Sequence, residues 1–276
     1  MSARANLEAA LRRVGEQKSA AIDLAGTALL LAGLERPNAA LDPYRDHLSA
    51  LAREVAQAGR TAGGLKDRIG ALNEVIFIRH GYRGDTESYE DPDNADLTRV
   101  IDRRLGLPVS LGIILIHTAR AQGWPAMGLG FPGHFLVRIE HEGERAILDP
   151  FDIMRHVETH ALRDLLKSLM GADAELTSDM YNPMSNRAIL IRLQNNLKTR
   201  ALQGDDRQRA TTILERMVLF APNQTKLWEE LGLLRARDGK IKSAMAALEE
   251  IMSRSQVPGE RERASEMLAR LRASLN

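Results

Sequence analysis

The sequence of 276 residues predicts an α+β protein in three parts: an N-terminal helical segment at 1–80, a mixed core at 81–185 and C-terminal helical repeats at 186–276. Three observations predict this class. Apolar residues recur at helical spacing through the first part, alternate between about 126 and 148, and return to helical spacing from about Ile189. A hydrophobic fraction of 44% suffices for a sizeable core. The chain contains no cysteine, which excludes disulfides, thiolate metal sites and a cysteine nucleophile.

The charge balance argues against a nucleic-acid or membrane-surface binder, because the net charge is only +1. Residues 192–276 carry 16 Lys and Arg against 11 Asp and Glu, a net of +5, which is typical of a solvated helical surface. The apolar stretch 25–34 is too short to span a bilayer. We therefore expect a soluble, cytoplasmic protein.

Helical periodicity accounts for the first part of the chain. A first helix is predicted over residues 6–32, with Gly33 as its stop. A second begins at Tyr44 and ends near Gly59, and a third covers residues 65–79. The N-terminal part is therefore predicted to be all-α.

The core begins with irregular backbone and a buried helix. Residues 80–94 are dense in Gly, Asp, Asn and Pro, which indicates a surface loop, and residues 97–105 are again helix-like. Residues 111–122 are apolar on nearly every side, which predicts a buried helix. Ser110 stands at the expected N-cap of that helix and Gly123 at its end.

A small antiparallel sheet is predicted next. Residues 126–130 are a strand candidate, residues 134–141 alternate, and residues 145–148 form the returning strand. With Glu142 and Gly143 as the hairpin turn, paired residue numbers should add up to 285. His134 and Asp149 would then be near-diagonal neighbours.

The C-terminal part repeats itself at the period of a tetratricopeptide unit. Equivalent apolar residues are 34 positions apart: Leu197 and Leu231, Ala210 and Ala244, Leu214 and Leu248. About two units are present, fewer than independent stability requires, so we expect them to pack against the preceding domain. Their predicted ligand is a protein or peptide.

Three polar residues are candidates for catalysis: Ser110, His134 and Asp149. A serine at the start of a buried helix lies where free N–H groups stabilise negative charge, and a histidine oriented by a carboxylate is a general base. Each also has a structural interpretation. Ser110 could simply cap its helix, His134 could be a hydrogen-bonded turn residue, and Asp149 could initiate a turn.

The motifs around these residues resemble a known family. They are Gly81-Tyr82-Arg83-Gly84-Asp85, Arg103-Arg104-Leu105-Gly106-Leu107-Pro108-Val109-Ser110-Leu111, Gly130-Phe131-Pro132-Gly133-His134-Phe135 and Leu148-Asp149-Pro150-Phe151-Asp152. In this order they resemble the SirB family, bacterial transglutaminase-like proteins with a C-terminal tetratricopeptide segment. The resemblance covers roughly residues 20 to 270. It implies a transglutaminase-like (papain-like) core.

The resemblance implies a base at His134 and an orienting carboxylate at Asp149. The superfamily's nucleophile is a cysteine that opens the central helix. Here that position falls at Pro108, and Ser110 is the nearest nucleophile. Thioester chemistry is excluded, so two functions remain open. One is a regulatory or protein-interaction module with a degenerate active-site cleft, and the other is an amide or ester hydrolase or acyl transferase that uses Ser110.

Other residues are weaker candidates. Arg103, Arg104, Asn94 and Tyr89 could line a substrate cleft. A solvated helix end explains the two arginines better and an Asx turn explains Asn94 better, whereas rim packing explains Tyr89 equally well. No cofactor and no resident metal are expected. A minor alternative is a metal site that uses the four residues His134, Asp149, Asp152 and His156, or a helix face that presents His156 and His160 together.

Overall fold

The structure is a computed structural model that describes residues 2–36 and 39–273. Its helices are α1 (Ala3–Glu16), α2 (Leu24–Glu35), α3 (Asp42–Ala58), α4 (Leu65–Leu72), α5 (Leu97–Arg103), α6 (Pro108–Arg120), α7 (Thr159–Met170), α8 (Asn186–Gln203), α9 (Arg207–Phe220), α10 (Thr225–Arg237), α11 (Ile241–Arg254) and α12 (Pro258–Ala273). A π-helical segment, Asn73–Arg79, continues directly from α4. The described part is therefore mainly helical, and the α+β class is confirmed.

The strands form two small sheets. They are β1 (Arg83–Gly84), β2 (Leu105–Gly106), β3 (Ala126–Leu129), β4 (Leu136–His141), β5 (Glu144–Asp149) and β6 (Arg155–His156). Strands β1 and β2 pair in parallel, and the others form an antiparallel sheet in the order β3-β4-β5-β6. Val137 pairs with Leu148 and Ile139 with Ala146, so the predicted sum of 285 is confirmed. Both turn residues have positive φ, as a tight hairpin requires.

Two compact units make up the chain. One is continuous, Ser19–Leu193, and is called the core unit below; the other combines Met1–Lys18 with Gln194–Asn276 and is called the repeat unit. The predicted boundaries at residues 80 and 185 do not coincide with this division. Helix α1 belongs with the repeats, whereas α2 to α4 belong with the sheet, because tertiary contacts rather than local composition decide the grouping.

The core unit is built around α6, which is buried on almost every residue. Gly112 of this helix faces the Phe135 ring so closely that a Cβ atom there would lie 2.4 Å from a ring carbon. The helix packs against α2, α3 and the sheet. The prediction of a buried central helix is confirmed, and its packing brings the start of α6 and the β4–β5 hairpin into one unit.

Two local predictions are wrong. The single helix over residues 6–32 is interrupted, because α1 ends at Glu16 and Asp23 caps a new helix by accepting the N–H of Gly26 at 3.0 Å. Gly33, the predicted stop, lies inside α2. Apolar spacing did not reveal this break because it continues in phase across the connecting segment.

The repeat unit confirms the 34-residue period. The equivalent pairs Ala210 and Ala244, and Leu214 and Leu248, are all completely buried. Helix α1 packs on α9, where a Cβ atom at Gly15 would lie 2.3 Å from the carbonyl oxygen of Leu219. The repeats are therefore joined by a helix from the far end of the chain. Among the described residues, no helix combines the length and the apolar character needed to cross a membrane.

Candidate functional site

The structure brings His134 and Asp149 into direct contact. Nε2 of His134 lies 2.9 Å from Oδ2 of Asp149, with side-chain exposures of 17% and 5%. His134 precedes β4 and Asp149 ends β5, so the pairing of the hairpin places them side by side. This is the geometry of a base oriented by a carboxylate. With Nε2 turned to Asp149, Nδ1 is the ring nitrogen left for another group.

Asp149 is held on both carboxylate oxygens. Its Oδ1 accepts the backbone N–H of Phe151 at 3.0 Å. Its Oδ2, besides meeting His134, lies 3.7 Å from Nη2 of Arg155, whose Nε donates to Asp152 at 2.6 Å. Asp149 thus has a fixed orientation before any ligand binds.

The backbone of His134 is fixed by Arg192. The guanidinium of Arg192 donates to the carbonyl oxygen of His134 at 2.5 Å and to that of Phe131 at 3.3 Å, and it lies over the Phe135 ring. Burial lowers the pKa of this guanidinium, an effect opposed by Tyr89. Gly133, with a φ of +68°, completes the turn that carries His134. The sequence pattern does not indicate this role for Arg192, because the residue lies on α8, far along the chain from His134.

Ser110 has a different role from the predicted helix cap. The N-cap of α6 is Leu107, Pro108 occupies the first turn, and Ser110 follows inside the helix. Pro108 suits that first position because it has no N–H to satisfy. The Ser110 hydroxyl is completely buried and donates to the backbone carbonyl of Asn94 at 2.5 Å. Its proton is therefore directed at Asn94 rather than at His134.

Asn94 fixes the loop before α5 through hydrogen bonds of both its backbone and its side chain. Its carbonyl also accepts the N–H of Leu107 at 3.1 Å, and its side-chain amide donates to the carbonyl of Ser88 at 2.7 Å. The residue is fully buried. As a predicted cleft residue, Asn94 is thus joined to Ser110 through its backbone, while its side chain anchors the loop.

Arg103 lies in the same network. Its guanidinium donates to Asp85 at 3.0 Å and lies 3.4 Å from Asp91. Burial acts to raise the pKa of the Asp85 carboxyl, but hydrogen bonds from Ser88 and Asn94 and the charge of Arg103 outweigh it, so this pKa is lowered. Arg103 therefore stabilises an ionised, buried carboxylate.

Arg104 points into a separate polar cluster. It has left-handed backbone at φ 61° and donates to the Tyr82 hydroxyl at 2.5 Å and to Nε2 of His47 at 2.8 Å. Its guanidinium also stacks over the Tyr82 ring. Burial, together with Arg104 and His80, lowers the pKa of His47 to about 4. Burial raises the pKa of Tyr82.

Tyr89 is the predicted cleft residue that the structure places close to the histidine–aspartate pair. Its ring meets the ring of Phe151 edge-on at 5.7 Å, and the N–H of Phe151 bonds to Asp149. The Phe151 ring in turn lies on Gly84, where a Cβ atom would come within 2.5 Å. The loop is therefore packed against the residues that follow β5, and 38% of Tyr89 remains exposed.

The two metal alternatives gain no support. His156 lies in β6 and His160 in α7, so the shared helix face is wrong. No group of three or more side chains able to hold a metal ion occurs in residues 2–36 and 39–273.

Two known protein families match the sequence of this chain. A family described as the transglutaminase-like superfamily matches residues 42–195, more than half of the chain. The chain belongs to the transglutaminase-like superfamily. A second family, described as a tetratricopeptide repeat, matches residues 197–269 of this transglutaminase-like protein. No solved structure matches it significantly.

Relatives of this transglutaminase-like protein confirm the SirB resemblance. It is 31% identical over 227 residues to a UPF0162 protein of Xylella fastidiosa, covering 81% of each chain. It is 30% identical over 204 residues to a UPF0162 protein of Vibrio cholerae, covering 74% of this chain and 75% of that one. It is 28% identical over 170 residues to Protein SirB1 of Salmonella typhimurium, covering 60% and 63%.

Proposed function

We propose that this protein is a regulatory or protein-interaction module whose transglutaminase-like core retains a base and an orienter in a degenerate active-site cleft. One observation carries the proposal: the nucleophile nearest to the expected position, Ser110, is completely buried and gives its proton to the carbonyl of Asn94. A hydroxyl used in this way is unavailable as a nucleophile. The chain holds no thiol to replace it.

The repeat unit supports the interaction role. Tetratricopeptide repeats in general mediate protein–protein interaction, and the partner proposed here is a protein or peptide bound by the repeats. The near-zero net charge fits such a partner better than a nucleic acid or a membrane surface. The proposal places the protein in the cytoplasm, since a chain without cysteine gains no disulfide from an oxidising compartment.

The runner-up is a hydrolase or acyl transferase that uses Ser110, His134 and Asp149. The contact between His134 and Asp149 at 2.9 Å favours it, because a histidine oriented by a carboxylate is the general base of such a triad. For this chemistry the Ser110 hydroxyl must leave Asn94 and turn to His134.

A fluorophosphonate reagent, which labels activated serines, separates the two functions. We expect no labelling of the full chain between pH 6 and 9. Ser168→Ala is the matched control, since Ser168 is an exposed serine that bonds only to its own helix. Labelling that survives Ser168→Ala but disappears in Ser110→Ala and His134→Ala would establish the hydrolase and sink the interaction proposal.

Affinity capture with the full chain tests the interaction directly. A captured partner should then be purified and titrated against wild type, His134→Ala and Asp149→Asn. We expect equal affinities, because the proposed contact surface is on the repeats. A partner that is consumed chemically, or whose binding depends on His134, contradicts the proposal.

A further inference from the structure

A groove of about 660 Å³ lies within the core unit, between α4 and the β5–β6 hairpin. Its floor and walls are apolar side chains of these elements: Leu65, Ile69, Ala146, Leu148 and Met154. A volume and a lining of this kind are typical of a ligand-binding cleft. His134 and Asp149 do not line the groove, so it is a surface separate from the histidine–aspartate pair.

Strand β5 has an unpaired outer edge beside this groove. β6 pairs with the last two residues of β5, and the N–H of Val157 donates to the carbonyl of Ile147 at 2.8 Å. Since successive residues of an antiparallel strand turn their main-chain groups to opposite edges, the N–H and C=O of Arg145 face the same edge as those of Ile147. The chain leaves this edge at Glu158, the N-cap of α7. In the described part of the chain, no backbone group bonds to Arg145 there.

The register of the hairpin determines which side chains face the groove. His156 is paired with Leu148, so these two side chains lie on the same face of the sheet as that of Ala146, and α4 packs on this face. The Arg145 side chain lies on the opposite face. A strand added opposite Arg145 therefore places alternate side chains in the groove and the side chain between them beside that of Arg145.

The charges at the rim of the groove do not balance. Lys66 and Arg145 line it together with one carboxylate, that of Glu144. Neither of the two cations forms an ion pair with another residue of the described chain. Glu140, directly opposite Arg145 in β4, pairs with Arg138 at 2.8 Å instead. The rim therefore favours a ligand with a negative side chain.

We infer that this groove binds an extended segment of a partner protein, which adds to β5 as a further antiparallel strand opposite Arg145. Apolar side chains at alternate positions of the segment fill the groove, and an acidic side chain between them lies beside the Arg145 guanidinium. Exposed strand edges bind extended peptides through main-chain hydrogen bonds, and pockets for alternate side chains supply the specificity. This surface goes beyond the proposed function, because the repeats belong to the other unit.

The direct test is fluorescence anisotropy with the full chain and a fluorescein-labelled peptide, Gly-Ser-Val-Glu-Val-Ser-Gly with an amidated end. We expect saturable binding that weakens as salt is raised. Ala in place of both Val residues should weaken binding by about fivefold or more. Gln in place of the Glu should weaken it by about three- to fivefold. Absence of saturable binding at the highest soluble concentration of the protein overturns the proposal.

Two backbone-methylated peptides distinguish strand pairing from binding through side chains alone. The N–H of the Glu faces β5 when this residue lies opposite Arg145, whereas the N–H groups of the two Val residues point away. N-methylation of the Glu should weaken binding by about tenfold or more, and N-methylation of the second Val by less than about threefold. Equal effects of the two methyl groups would refute pairing with β5.

Substitutions at Arg145 test the same contact from the side of the protein. Arg145→Gln removes the charge and should weaken binding by about three- to fivefold. Arg145→Pro also removes the edge N–H, which no residue of the sheet uses, and should weaken binding by about tenfold or more. Arg163→Gln, on α7 and outside the groove lining, should have no effect. Equal affinities of the Gln and Pro variants, with unchanged thermal transitions, would contradict the strand pairing.

The apolar wall of the groove has a matched pair of isoleucines. Ile69→Ala shortens a lining side chain and should weaken the peptide by about threefold or more. Ile78→Ala truncates an exposed isoleucine of the π-helical segment and should leave the affinity unchanged. If both variants behave alike, the peptide binds elsewhere and the groove proposal fails. A captured partner that still binds all these variants through the repeats would leave the proposed function intact.

Discussion

The Ser110 hydroxyl donates its hydrogen bond to the backbone carbonyl of Asn94, sixteen residues earlier, at 2.5 Å. This contact joins the first turn of α6 to the loop before α5. Ser110, the nucleophile nearest to the position expected for catalysis, thus has a structural hydrogen-bond partner. Both residues are fully buried, so water cannot replace either of them in this bond.

Ser110→Ala should therefore lower the free energy of unfolding by about 1 kcal/mol. The Asn94 carbonyl keeps the N–H of Leu107, which limits the loss. Urea unfolding measures the change, with Ser168→Ala on the exposed face of α7 as a control near zero. An unchanged stability would show that the bond is not formed in solution.

Arg192 should control the position of His134. Arg192→Met leaves the carbonyls of His134 and Phe131 without this donor, and we expect a loss of about 2 kcal/mol together with shifted imidazole resonances of His134 in NMR spectra. Arg163→Met, which removes an exposed arginine of α7, should change neither quantity. Loss of stability without any change at the imidazole would mean that Arg192 only supports packing.

His47 should make stability depend on pH. Its pKa is about 4 in the folded protein and near 6.5 in the unfolded chain, so the unfolded state binds more protons between these values. Stability from this group is present above pH 6.5 and is lost as the pH falls towards 4, by on the order of 2 kcal/mol.

The measurement compares urea midpoints of wild type and His47→Gln from pH 7 to 4. The variant should lose stability less steeply, whereas His160→Gln, which removes an exposed histidine, should follow wild type. Parallel curves for wild type and His47→Gln would contradict the shifted pKa.

Two glycine substitutions should have opposite effects. Gly112→Ala places a Cβ atom 2.4 Å from the Phe135 ring, and we expect a loss of about 1–3 kcal/mol despite the better helix propensity of alanine. Gly70→Ala in α4 meets nothing within 4 Å and should gain about 0.5–1 kcal/mol. Thermal unfolding distinguishes them, and a stabilising Gly112→Ala would refute the close contact.

Local spacing predicted much of this fold. The turn at Glu142 and Gly143 determines the register of β4 and β5, and that register is why the contact of His134 with Asp149 could be anticipated. The period of 34 residues identified the repeats in the same way. Short strands such as β1, β2 and β6 were not predicted, because two residues carry no periodicity.

Contacts between residues far apart in the sequence could not be predicted from local spacing. Nothing in the sequence around Arg192 indicates that its guanidinium reaches the carbonyl of His134, 58 residues away. The placement of Arg104 with Tyr82 and His47, rather than beside Arg103, likewise depends on a single left-handed residue after α5. The positive φ of Arg104 therefore directs its side chain to a different cluster from that of the adjacent Arg103.

The sequence by itself determined that no thiol is present, that an antiparallel hairpin joins His134 to Asp149, and that the C-terminal part is a repeat. Only the tertiary structure decided where the Ser110 proton goes and which carbonyls Arg192 holds. The physical reason is that periodicity and turn chemistry act between neighbours in the chain. A hydroxyl or guanidinium, in contrast, can bond to many acceptors, and the choice among them follows from which backbone the fold brings within about 3 Å.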